Sequence, residues 1–216
     1  MPLRSLFFKH TQEFYVVEID ADRPNETRFL ASWLKPEVTF WVSVGRSHAV
    51  NFEAVVSKGE FASVDEAILH EFSYLPKYTK SLVIYDGDNK QIVSAMKQVT
   101  GPSKVAVTQK DLQEYTVWPN KTRFVIDGAT FTFTQPMPRE THVQLSCLKE
   151  LANYIGEPVV TDLSAYVQPP GRSNFYEGKK GTQLIDSSYN AHLISMASII
   201  AMFEAMKAKK KWVVIG

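Results

Sequence analysis

Cysteine is almost absent from the 216 residues: Cys147 stands alone, which excludes an internal disulfide framework and any thiolate metal cluster. A lone thiol fits a reducing compartment, and a cytoplasmic location is expected. An excess of charge of one sign is also lacking. Lys and Arg number 24 against 23 Asp and Glu, and the net charge of +1 provides no broad electrostatic footprint for nucleic acid or an anionic membrane. Any anionic ligand has to be held locally. Long apolar runs are missing as well. The most lipid-like stretch, residues 193–206, is shorter than the ~20 residues of a spanning helix and carries Glu204, so a buried helix is expected there. The apolar run 3–8 gives way at once to Lys9 and His10, unlike a secretory signal. Nor is there a G-x-x-x-x-G-K-[ST] phosphate loop. Gly178-Lys179-Lys180-Gly181-Thr182 has the residue types without the spacing and reads as a tight turn.

What is present is the balance of a folded soluble chain, 44% apolar, 12% aromatic and 22% charged, at a length that suits one large domain or two small ones. Residues 14–19 (FYVVEI), 38–44 (VTFWVSV), 81–85 (SLVIY) and 104–108 are short β-branched runs of the kind buried in a parallel sheet. They alternate with helical stretches at 25–33, 64–72 and 91–99, which implies right-handed crossovers and a mostly parallel sheet flanked by helices, an α/β fold. The pattern then changes. Residues 123–126 and 130–134 alternate around Asp127-Gly128, which signals an inserted antiparallel hairpin. A helix over 144–155 ends at Gly156, and strands at 183–186 and 212–215 enclose a last helix over 193–207.

In parallel α/β sheets ligands sit outside the carboxyl ends of the strands. Glu18, Asp20, His48, Asp86, Asp88, Asn89, Asp186 and Tyr189 fall at such ends. A carboxylate and an imidazole on neighbouring strand ends can share a hard cation such as Mg²⁺. His10 and His142 have no companion at ligand spacing and read as surface or packing residues, and the Lys207–Lys211 region reads as a solvated helix end.

Three segments, in order, resemble the central ATP-binding domain of the Mur ligases, most of all the branch that adds D-alanyl-D-alanine to the peptidoglycan precursor. VVEIDADRPNETRFLASWLKPEVTFWVSVGRSHAVNF is similar to that family's strand ending in a catalytic Glu, a helix, and a strand leading to a His and a Phe. HEFSYLPKYTKSLVIYDGDN is similar to its Leu-Pro turn and the strand that follows. PPGRSNFYEGKKGTQLIDSSYNAHLISM resembles its Gly-Arg and I-D-D-S-Y-N-A-N signatures. The resemblance runs over residues 14–216. It implies a partial central ATP-binding domain over 1–211, with 212–216 beginning a carboxyl-terminal domain.

The resemblance further implies an ATP-dependent ligase. ATP phosphorylates a substrate carboxylate, an amine attacks the acyl phosphate, and a tetrahedral intermediate collapses to an amide. ATP and Mg²⁺ are the implied cofactors. A UDP-linked muramoyl peptide and an amino acid or dipeptide amine are the implied partners, with neither nucleic acid nor membrane. By position Glu18 and His48 match catalytic metal ligands, and Arg172, Asp186, Tyr189 and Asn190 match nucleotide contacts. Glu18 and His48 are expected to end neighbouring strands on one rim, with Arg172 and the 186–190 loop facing the same cleft. The departures are Ser187 in place of a second Asp, Ser146 in place of an Asn four residues after His142, and no match for the family's carbamylated lysine. Glu71, with His70 beside it, lies in that lysine's region and is expected to replace it as a metal ligand near His48. With no phosphate loop before Glu18, the chain alone is expected to be inactive. Two other readings stay open: a non-catalytic α/β binding or regulatory module derived from such a ligase, and a ligase of the same superfamily acting on folate or a poly-amino acid.

Overall fold

The structure, a computed structural model, describes residues 14–46, 48–189 and 193–215. After helix α1 (Glu26–Leu34), strands β1 (Val38–Trp41), β2 (Leu82–Asp86) and β3 (Ser103–Val107) form a parallel sheet in the order β1-β2-β3. Val38 pairs with Leu82 and Leu82 with Ser103. Helices α2 (Glu53–Ser57), α3 (Val64–Phe72) and α4 (Tyr74–Tyr78) lie between β1 and β2, and α5 (Lys90–Met96) between β2 and β3.

The alternation of side chains along the central strand explains both layers. Val83, fully buried, points to one face and packs with Trp41, Ile68, Phe72, Ile92 and Met96. Leu82 and Ile84 point to the other, against Val107 and Cys147. Cys147 belongs to α6 (Thr141–Ile155), the long helix that covers this second face and stops at Gly156 in the left-handed conformation, φ 76°. Burial raises the Cys147 thiol to about 12, so it is an inert packing residue.

The expected hairpin is part of a larger unit. Strands β4 (Leu112–Trp118), β5 (Lys121–Ile126) and β6 (Ala129–Phe133) form an antiparallel three-stranded sheet. Its inner face carries Phe124, Ile126, Phe131 and Phe133 against Leu145 of α6. Strands β7 (Asn174–Glu177) and β8 (Gln183–Asp186) make a separate antiparallel ribbon around the 178–182 turn, and helix α7 (Leu193–Ala205) packs on β4.

Three expectations are corrected. Residues 14–19 form no strand: none of the described strands pairs with them, and Val16 is 96% exposed. A run of this kind is a sheet strand only when neighbours satisfy its backbone and cover both faces. Residues 212–215 form no strand either, and Trp212 and Val214 are exposed for the same reason. The apolar α7 is not a buried helix, since Met202 alone within it is buried. No helix among the described residues is long and apolar enough to cross a membrane.

Candidate functional site

An open cleft of about 860 Å³ lies at the carboxyl end of β1. One wall is the chain just after that strand, Ser43 to Arg46. The loop at Gly171–Ser173, with Ser187, Tyr189 and the first turns of α7, lines the cleft as well. This is the position where parallel α/β sheets hold ligands, because the strand ends there and the chain opens into loops.

Arg172 is presented by backbone geometry. Gly171 (φ 75°) and Ser173 (φ 58°) on either side are both left-handed, and both are buried while Arg172 is exposed. Its backbone N–H donates to Asn174 Oδ1 at 3.0 Å, and Asn174 Nδ2 donates to the Gln168 carbonyl at 3.2 Å. The Arg172 guanidinium lies 4.8 Å from the centre of the Tyr189 ring. A guanidinium stacked by its face keeps its in-plane N–H edge free for an oxyanion. Tyr189 N–H in turn donates to the Gly171 carbonyl at 3.1 Å, tying the two loops together. A Cβ at Gly171 would lie 2.9 Å from Tyr189 Cβ, so this crossing requires glycine. Asp186 acts behind the cleft rather than in it. Its Oδ1 accepts the Ser188 N–H at 3.1 Å, which shapes the turn into Tyr189. Asn190 lies outside the described residues.

His48 opens a short 3₁₀ turn over Ala49–Phe52. Its Nε2 lies 2.8 Å from Asp22 Oδ1 and 3.8 Å from Asp20 Oδ2, with all three side chains about half exposed. The positioning follows from an extended segment whose alternate residues face one way. Ala21 is buried in the main core with Trp41 and Phe52, so Asp20 and Asp22 both turn outward. The segment is pinned on each side: Thr27 Oγ1 donates to the Asp20 carbonyl at 3.4 Å, and Asn51 Nδ2 to the Asp22 carbonyl at 2.8 Å. The three ligand atoms, Asp20 and Asp22 oxygens and a His48 nitrogen, lie within 4.8 Å of one another. With a proton on Nε2 this is a hydrogen-bonded pair, and with that proton gone it is a donor set suited to a hard divalent cation.

Two expected ligands stand elsewhere. Glu18, in the 14–19 segment that forms no strand, is exposed and makes no ion pair with His48. Glu71 is buried at 4% exposure, and its oxygens accept the backbone N–H groups of Asn25 at 2.9 Å and Arg28 at 3.2 Å. It caps α1, whose N-cap Asn25 supplies no side-chain bond. A carboxylate is favoured there by the unpaired N–H groups and by the helix dipole. Neighbouring His70 is set between Phe61, at 5.1 Å, and Tyr74, at 5.0 Å, beside a cavity of about 200 Å³. Burial and then Lys77 push its pKa below the usual imidazole value.

The other strand-end acids are also used by the fold. Asp86 Oδ1 accepts the Asp88 N–H, Asp88 Oδ2 accepts the Gln109 N–H, and Asn89 caps α5. His142 and Ser146 are buried on α6. Arg46, which lines the cleft, reads in the sequence only as a strand breaker, and Asp22, beside His48, reads only as one of the charges that close the 14–19 run.

Sheet, helices and cleft together define an α/β domain of the kind that binds its ligand at the ends of parallel strands. Its fold is Mur ligase-like. A MurF ligase from Thermotoga maritima in complex with ADP is similar to it with a TM-score of 0.68 and 18% identity, over 86% of this chain and 43% of that one. The chain thus spans less than half of the solved structure it matches. No protein-family model and no curated protein match the sequence.

Proposed function

We propose that the cleft binds an adenine nucleotide and that the chain is the nucleotide-binding part of an ATP-dependent amide ligase of peptidoglycan precursor synthesis. The observation that carries this reading is the Arg172–Tyr189 pair, held by the Gly171 crossing across a cleft from the carboxyl end of β1. Arg172 would hold nucleotide phosphate with its guanidinium edge. Tyr189 would fix that guanidinium, and Asp186 would set the turn that carries Tyr189. Asn190 follows Tyr189 in the sequence and is kept as a nucleotide contact on the resemblance alone.

Asp20, Asp22 and His48 fit Mg²⁺ by donor chemistry, two carboxylates and one imidazole at one point. When bound, Mg²⁺ would neutralise the negative charge that collects on phosphate and acyl oxygens. Asp22 and Asp20 replace Glu18 and Glu71 in this reading, because among the described residues they are the carboxylates beside His48. The co-substrates of such a ligase would be a UDP-linked muramoyl peptide and an amino acid or dipeptide amine. The setting would be cytoplasmic, as the single reduced cysteine fits.

Titration calorimetry with ADP tests this. ADP binding is expected to tighten when Mg²⁺ is added. The gain is expected to vanish in a chain carrying both Asp22→Asn and His48→Ala, and Arg172→Gln is expected to weaken binding about tenfold or more, the effect of one charge-assisted contact. Absence of ADP binding, or binding indifferent to Arg172→Gln, would overturn the reading. The exposed Glu18 and the helix-capping Glu71 favour a second reading, a nucleotide-binding module without catalysis. ADP release stimulated by precursor and amine would decide for the ligase against the module.

A further inference from the structure

We propose that Arg46 is a second anion-binding residue of the cleft, taking the terminal phosphate of a nucleoside diphosphate or triphosphate whose first phosphate lies on Arg172. The inference rests on the nucleotide reading above and extends it to a residue and a ligand class, the polyphosphate tail.

Arg46 follows β1 by five residues and lines the same cleft as Arg172. Its Nε lies 3.1 Å from Asp65 Oδ1 at the start of α3, with side-chain exposures of 65% and 48%. An ion pair this open to water contributes little. Asp65 therefore aims the guanidinium into the cleft without holding it against a competing oxyanion. The remaining charged residue of the lining, Glu140, accepts a hydrogen bond from Ser198 Oγ. The cleft thus presents two guanidinium groups from distant segments of the chain, each positioned by one neighbour. Such an arrangement suits a ligand with two separated anionic groups better than one with a single phosphate, because each planar fork binds oxygens at its own edge.

The order of the two groups follows from the neighbours. Arg172 lies with Tyr189, the aromatic residue of the cleft lining, whereas Arg46 lies after the end of β1 with Asp65 beside it. The base end of the nucleotide is therefore assigned to the Arg172 and Tyr189 side and the tail of the polyphosphate to Arg46.

The test compares AMP and ADP on the full chain by calorimetry. The unaltered chain is expected to bind ADP more tightly than AMP. Arg46→Gln is expected to weaken ADP about tenfold to a hundredfold, the range of one charge-assisted hydrogen-bonded contact, while AMP changes less than about twofold. Arg172→Gln is expected to weaken both nucleotides alike. If Arg46→Gln does not fold, Arg46→Lys carries the test: it keeps the charge and loses the fork, so ADP affinity falls several-fold with AMP unchanged. ADP affinity untouched by either variant, or AMP and ADP weakened equally by Arg46→Gln, would overturn the inference and leave the nucleotide reading standing. Failure of the unaltered chain to bind either nucleotide would overturn both.

Discussion

Gly171→Ala is expected to abolish ADP binding and to destabilise the chain by about 2–4 kcal/mol, read by calorimetry and by urea unfolding. The new methyl would lie 2.9 Å from Tyr189 Cβ and 3.0 Å from Tyr189 N. Two of the three nearest atoms are backbone, so no rotamer change removes the clash. The backbone at Gly171 is left-handed, φ 75°, a conformation that costs an alanine a further ~1–2 kcal/mol. The chain's only route to relief is to pull the 171 and 189 loops apart. That breaks the 3.1 Å hydrogen bond from Tyr189 N–H to the Gly171 carbonyl and removes Tyr189 from beneath the Arg172 guanidinium. An unfolding midpoint and an ADP affinity equal to those of the unaltered chain would mean that the loop crossing does not organise the cleft.

Glu71→Ala is expected to lower stability by about 2–3 kcal/mol without changing the urea m-value. Its carboxylate accepts the N–H groups of the N-cap Asn25 and of Arg28 in the first turn of α1, and the alanine leaves both unpaired beside a buried position. Glu71→Gln keeps one acceptor oxygen and is expected to lose about half as much. The effect should spread, because Thr27 of α1 donates to the Asp20 carbonyl. A loosened α1 releases the segment that holds Asp20 and Asp22 beside His48. Were Glu71 a metal ligand instead, Glu71→Ala would leave the midpoint in place without Mg²⁺ and shift it only with the ion present.

The parallel core was legible because its strands carry β-branched residues in short runs bounded by turns. In β2 the run Leu82, Val83 and Ile84 is buried on both faces, and a fully buried strand is the case in which composition and environment agree. The Asp127-Gly128 turn was legible for a local reason, the left-handed backbone at both residues, φ 42° and 78°. β4 was not, since the exposed Gln113 and Glu114 and the half-buried Thr116 break up its apolar pattern, and its register shifts between Leu112 and Glu114. Residues 14–19 have the composition of a buried strand but pair with none of the described strands, and composition alone does not decide strand pairing.

The site divided in the same way. Arg172 and Tyr189 reach the cleft through a motif in which glycine and arginine are adjacent, so the loop geometry is encoded locally. For Glu71, sequence position gives its region but not the direction of its side chain, which turns inward to the start of α1. Asp22 was missed because its proximity to His48 depends on Ala21 entering a core assembled from α2, α3 and β1. That contact spans distant parts of the chain and leaves no periodic trace.

The most direct test of the central claim, that the cleft at the end of β1 is a nucleotide site, is a crystal structure of the chain grown with ADP and Mg²⁺. The account predicts ADP in that cleft, with a phosphate on the Arg172 guanidinium and the cation at Asp20, Asp22 and His48. ADP bound away from Arg172 and Tyr189, or a cleft that stays empty at saturating ADP, would contradict it.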